Sequence, residues 1–150
     1  MPAPPLLTHH IVSAAYFALF FTVVLLVTTA YFLMGGLPLL ILQHDSPVDG
    51  RFIRRFFEVY YKAALLASAG ACLSYGLWGK PFFCAGTGAV AALVLAIRHA
   101  VVPSMEHLAS QIQASAPAAI AAFRRVHGTA LALNLFQLVC LVWGLTQLSF

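Results

Sequence analysis

The residues best equipped for chemistry in this chain are histidines with charged neighbours. His99 and Glu106 stand seven apart, so a helix running through both would put them on one face, and His127 follows closely on Arg124 and Arg125. Two neutral imidazoles facing each other, His99 and His127, could ligate copper or another borderline metal. They could equally hold the iron of a b-type haem whose propionates pair with nearby arginines. Adding the polar residues expected at the same depth gives a candidate ligand site of Arg55, Glu58, His99, Glu106, Arg125, His127 and Asn134. The same residues also serve as boundary anchors that pin a helical hairpin, which is the commoner fate of Arg and His at such positions. His44 and His107 fall toward this end of the protein, His9 and His10 toward the other. Cys72, Cys84 and Cys140 are an odd number, which defines no disulfide framework. As thiols among methyl groups they read as small core residues, a soft Cu(I) site being the alternative. The only acids are Asp45, Asp49, Glu58 and Glu106, and there is no nucleophile motif, phosphate-binding glycine loop or carboxylate pair. Handling of a metal ion or small ligand without covalent catalysis is therefore expected. A haem-binding redox protein and a structural or assembly subunit of a larger complex are the other readings.

The elements that must position these residues are apolar and long. The chain is 62% hydrophobic and 8% charged; its charges are almost absent from four long apolar stretches and crowd toward two of the junctions between them. The helices built on these stretches, some starting or ending in the charged junctions, are expected at about residues 10–34, 50–79, 82–113 and 117–148. A hydrocarbon layer ~30 Å thick takes ~20 apolar residues per helix, so an integral membrane, antiparallel four-helix bundle in a single domain is expected. The gap after the first helix carries Arg51, Arg54, Arg55 and Lys62, and the gap after the third carries Arg98, Arg124 and Arg125, against Lys80 alone on the opposite side. The positive-inside rule makes both basic gaps cytoplasmic and puts the two termini outside, in a plasma membrane of the bacterial inner-membrane type. That placement accounts for the net charge of +4 without nucleic acid, and some of it can meet anionic lipid headgroups. The start, Met1-Pro2-Ala3-Pro4-Pro5, lacks the basic residues of a cleavable signal, so the first helix is expected to be retained.

Local signals refine the helices. Gly35-Gly36-Leu37-Pro38 predicts a break in the first, because proline lacks the amide an interior turn needs. Arg51, Arg55, Glu58 and Lys62 form one stripe of the second helix, either a solvated face or one turned into a polar cavity. Tyr60 and Tyr61 suit a headgroup-level aromatic belt. Small residues at Gly88, Ala92, Ala96 and Ala100, and at Ala63, Ala67 and Ala71, predict close packing of the second and third helices. Pro103 should kink the third helix without ending it, and Pro117 suits the first turn of the fourth. On that last helix His127 and Asn134 share a face with Gln137 close by, and polar groups at such depth need partners inside the bundle.

The run Phe123-Arg124-Arg125-Val126-His127-Gly128, followed by Asn134, resembles the signature of a small four-helix membrane family of unknown function. That family includes the animal transmembrane protein associated with cisplatin resistance, and its wider group resembles the copper-resistance D-type membrane proteins. The Gly35 to Pro38 segment, the Arg51 to Tyr61 aromatic-basic run and the proline after Arg98 are similar as well. The resemblance implies the four-helix fold, a membrane location and a link to metal tolerance. It implies no agreed reaction. Partners expected on these grounds are the lipid bilayer, a metal ion or small ligand, and a second copy or a larger membrane complex.

Overall fold

A computed structural model describes residues 5–41, 47–113 and 117–148, and these are helical with no strand among them. The helices are α1 (Pro5–Ile41), α2 (Pro47–Leu77), α3 (Pro81–Gln113) and α4 (Pro117–Thr146). Each begins at a proline, whose fixed φ suits the first helical turn and whose missing amide would have no intrahelical partner there. Between α2 and α3 the chain turns in a Schellman motif. Gly79 takes φ +76°, the Lys80 amide donates to Tyr75 O at 3.0 Å and the Gly79 amide to Gly76 O at 3.1 Å.

Three of the helices, over His10–Ile41, Pro81–Ile112 and Ala118–Thr146, are long and apolar enough to cross a membrane. The second helix fails that test because its first half carries three arginines, Glu58 and Lys62, and its second half is diluted by serines and tyrosines. Large apolar side chains cover the exterior, among them Phe17, Phe20, Leu66, Leu73, Phe136 and Trp143. A lipid-facing surface has this composition, and a water-facing one would expose far less apolar area.

The four helices form a ring in which each backbone packs on two neighbours: α1 on α2 and α4, α3 on α2 and α4, with α2 and α3 the most extensive pair. Among the described residues the diagonal backbones, α1 with α3 and α2 with α4, do not approach. Side chains fill the middle. Phe32 of α1 stacks on Tyr60 with ring centroids 3.9 Å apart and meets Phe57 edge-on at 4.7 Å. Ile53, Tyr61, Val94, Met105 and Phe123 complete a core with almost no exposed surface.

Three local expectations are corrected. The Gly35-Gly36-Leu37-Pro38 segment does not break the first helix, which continues through Pro38 to Ile41. The two glycines are contact points: a Cβ at Gly35 would lie 2.9 Å from Phe56 Cζ and one at Gly36 2.5 Å from Leu131 Cδ2, so α2 and α4 both press against this turn. Leu39 and Leu40 also pack on the core, and burial on this scale offsets the ~3 kcal/mol that an interior proline costs. The small-residue stripe of α3 is likewise not the packing face, since Ala92, Ala96 and Ala100 are exposed while Val94, Ile97, Val101 and Met105 are buried. Gly88 of the stripe meets α2 at Cys72, and the expected pairing of the second and third helices holds, since they are the most extensive pair. Tyr60 and Tyr61 lie in the core rather than in a headgroup belt, held there by Phe32 and by the polar groups described below.

Candidate functional site

The charged residues and the buried polar residues occupy different places. Arg51, Arg55 and Lys62 are exposed and Glu58 is half-buried, so the stripe is the outer face of α2, with Ile53, Phe57, Tyr60 and Tyr61 facing inward. Glu58 pairs with Lys62 of its own helix at 2.8 Å, and this lysine holds its carboxyl below the ordinary carboxylate range. Glu106 reaches across to α2, but to Arg54 at 3.1 Å. His99, Arg124 and Arg125 are exposed. His127 is wholly buried, edge-on to Phe57 with centroids 5.1 Å apart. The structure therefore sets the exposed imidazole of His99 and the enclosed one of His127 in different surroundings. Among the described residues no three His, Cys, Asp or Glu side chains are grouped to hold a metal ion. His44 and Asp45 lie outside the described residues.

The interior holds a polar seam built by three helices. Tyr60 Oη donates to Asn134 Oδ1 at 2.6 Å, across the diagonal from α2 to α4, and Asn134 Nδ2 donates to Ala130 O of its own helix at 2.7 Å. Thr29 of α1 donates to Leu25 O at 2.8 Å, which leaves its oxygen to accept from Gln137 Nε2 at 3.3 Å, with Tyr60 Oη also 3.3 Å away. One turn pair outward, Thr22 donates to Ala18 O at 2.7 Å, so the 3.1 Å contact with Tyr75 has the phenol as donor. Asn134 and Gln137 are 0% and 1% exposed, which makes their hydrogen-bond inventory decisive. Gln137 Oε1 and Tyr61 Oη are buried without a hydrogen bond of full geometry among the described residues, although the Gln137 amide lies near the Tyr60 hydroxyl and the Asn134 amide near that of Tyr61. Flipping the Gln137 amide exchanges which of its two atoms meets Thr29 and leaves the other wanting.

Gln137 also lines a cavity. Between α3 and α4 lies a space of about 210 Å³ walled by Gly86, Ala89, Leu93, Phe136 and Gln137, and it shares Gly86, Val90 and Cys140 with a second space of about 210 Å³. The second reaches Thr22, Tyr75, Thr87 and Trp143. Together they form one groove along the α3–α4 seam, apolar over most of its wall with a few polar groups set into it. Small residues open it: a Cβ at Gly86 or Gly144 would meet nothing within 4 Å. Gly128, next to His127 in the motif, is equally open and is not a close-approach point for the third helix.

Of the residues singled out from sequence, His127 and Asn134 belong to this interior, and Arg55, Glu58, His99, Glu106 and Arg125 stand at its charged periphery. Thr22, Thr29, Tyr60 and Tyr61 were not read as interior polar groups. A signal existed, because Thr22 and Thr29 are seven apart in a central stretch of the helix whose only other polar residue besides tyrosines is Thr28, which puts two hydroxyls on one inward face. Cys72 and Cys84 are half-buried, as small core residues allow, but Cys140 is exposed at the groove. No family model, no curated protein and no solved structure matches the chain.

Proposed function

We propose that this protein is an integral membrane bundle of four antiparallel helices, termini outside, that binds a small ligand non-covalently in the α3–α4 groove and reads it with the interior polar seam. The observation that carries the reading is Gln137: its carbon atoms line the cavity, and the buried amide behind them has an oxygen without a bond of full geometry, which a turn of the side chain would present to a ligand. A buried polar atom without a partner costs ~1–3 kcal/mol, which the hydrogen-bonding group of a ligand would recover. The fitting ligand has an apolar body and one hydrogen-bonding group, and it can arrive through the bilayer. Packing contacts such as Gly35 with Phe56 and Gly70 with Phe21, or Gly50 with Ala109 and Gly76 with Cys84, run in opposite chain directions and support the antiparallel order. The exposed cations then serve as cytoplasmic anchors, in line with the positive-inside reading.

Mass spectrometry of small molecules extracted from the purified protein and from Gln137→Leu tests this. A compound retained by the parent and lost from a folded Gln137→Leu protein is the expected result. Equal recovery from both would overturn the assignment. Copper and iron analysis with an absorption spectrum, run on the same samples, would instead reveal metal or haem held through His99 or His127.

A further inference from the structure

Two of the three cysteines are set against each other by a reciprocal pattern that the ligand reading does not use. On α2 the spacing is Cys72-Leu73-Ser74-Tyr75-Gly76, and on α3 it is Cys84-Ala85-Gly86-Thr87-Gly88. Each cysteine thus precedes a glycine by one helical turn. Across the pair, a Cβ at Gly88 would lie 3.4 Å from Cys72 Sγ and one at Gly76 3.6 Å from Cys84 Sγ, so each sulfur rests on the other helix's glycine. The two sulfurs stand 3.5 Å apart. We infer that Cys72 and Cys84 are a dithiol that closes reversibly to a disulfide joining α2 to α3.

A disulfide needs sulfurs ~2.05 Å apart, so they must close by about 1.5 Å, a distance that side-chain rotation spans when no bulk stands behind either sulfur. The glycines supply that freedom. Cys84 lies in the first turn of α3, beside the α2–α3 turn, its amide bonded to Lys80 O at 3.0 Å, so it is the sulfur nearer the end of the bundle and the first to meet an external disulfide. It attacks one sulfur of a small disulfide such as oxidised glutathione and expels one glutathione thiolate. Cys72 Sγ then attacks the mixed disulfide at Cys84, expels the second thiolate and forms the Cys72–Cys84 bond. Two protein thiols are oxidised, one external disulfide is reduced to two thiols, and the protons lost by the cysteines end on the glutathione sulfurs. A dithiol reductant reverses the sequence.

The test uses the full chain in detergent with Cys140→Ser, so that two thiols remain. After incubation with oxidised glutathione, maleimide should add to neither cysteine and the intact mass should fall by two hydrogens. Chymotrypsin, which cuts after Tyr75 and Trp78, should release the two cysteine peptides as one disulfide-linked species that separates on reduction. Further replacing Cys72 with Ser should leave Cys84 carrying either maleimide or a single glutathione. Gly88→Leu, with helicity checked by circular dichroism, should lower the yield of linked peptide several-fold by driving the sulfurs apart. Two maleimides added after oxidation, or glutathione on each cysteine without linked peptide, would overturn the inference. None of these readouts depends on a ligand in the α3–α4 groove.

Discussion

Replacing Tyr60 with Phe removes one oxygen from the interior and leaves the ring on its stack with Phe32. The lost interaction is the 2.6 Å bond to Asn134 Oδ1, between side chains 4% and 0% exposed. Asn134 cannot turn its amide to recover, because Nδ2 is already committed to Ala130 O. Its carbonyl oxygen is then a buried acceptor without a donor, a loss of ~1–3 kcal/mol in soluble cores. Inside membrane bundles the dissociated chain also finds partners, and such bonds average ~0.6 and reach ~1.7 kcal/mol. A bond this short, with its acceptor fixed, belongs near the upper end, so Tyr60→Phe should cost about 1–1.7 kcal/mol. Asn134→Leu should cost less on the polar account, since the Tyr60 hydroxyl can swing to Thr29 Oγ1, 3.3 Å away. Reversible unfolding in mixed micelles, followed by the fluorescence of Trp78 and Trp143, measures both variants and their double mutant. Coupling of ~0.5 kcal/mol or more is expected for groups in contact. A Tyr60→Phe protein within ~0.3 kcal/mol of the parent would show that the seam contributes nothing to cohesion and would sink the reasoning.

Gly36→Ala places a methyl 2.5 Å from Leu131 Cδ2 and should destabilise by ~1–2 kcal/mol net of the helical preference of alanine, whereas Gly128→Ala meets nothing and should stabilise by up to ~1 kcal/mol. The same micelle unfolding assay decides it, and equal effects at the two sites would contradict the packing described. Glu58 should titrate below its ordinary value of about 4.5, with Lys62→Gln moving the midpoint upward in carbon NMR of the labelled carboxyl. Because the folded value is the lower one, whatever the pair adds to stability is present above the unfolded pKa and is lost as pH falls through the folded one, so neutral pH should show no slope from this group. An unmoved midpoint in Lys62→Gln would disprove the pairing. For topology, an alkaline-phosphatase fusion after Phe150 should be active, and fluorescence of a cytoplasmic reporter at that point would reverse the assignment.

The helices were legible because their signals are long and redundant. Apolar runs bounded α2 to α4 within a few residues, Pro117 marked the start of α4, and Pro103 inside α3 was read correctly as tolerated. Pro38 was misread by the same rule. Nothing near it in sequence reveals that Phe56 and Leu131, from two other helices, lean on Gly35 and Gly36 and hold the helix through its weak turn. The site was half legible for a similar reason. His127, Asn134 and Gln137 stand out as polar residues in an apolar helix, and all three are buried. Tyr60 and Tyr61 did not, since a tyrosine beside a basic run suits a membrane boundary as well as a core, and only Asn134 and Phe32 decide between them. Charged side chains were overread as site residues because ionisable type advertises chemistry, while their long stems let them reach water from almost any boundary position.

The contact between Tyr60 and Asn134, with Phe57 against His127, joins α2 and α4, one of the two diagonal pairs whose backbones do not approach among the described residues. In mechanical terms the ring of neighbouring helices resists being pulled apart, while a tie across its diagonal resists sliding along the bundle axis. Neighbour packing is made of many interchangeable apolar contacts, which a displacement of one turn would largely replace. A single hydrogen bond with a fixed acceptor is not replaceable in that way, because one turn of slip carries Asn134 ~5.4 Å past the phenol. The diagonal tie is thus a registration pin as well as a source of cohesion, and severing it should also appear as heterogeneity in the axial position of α4.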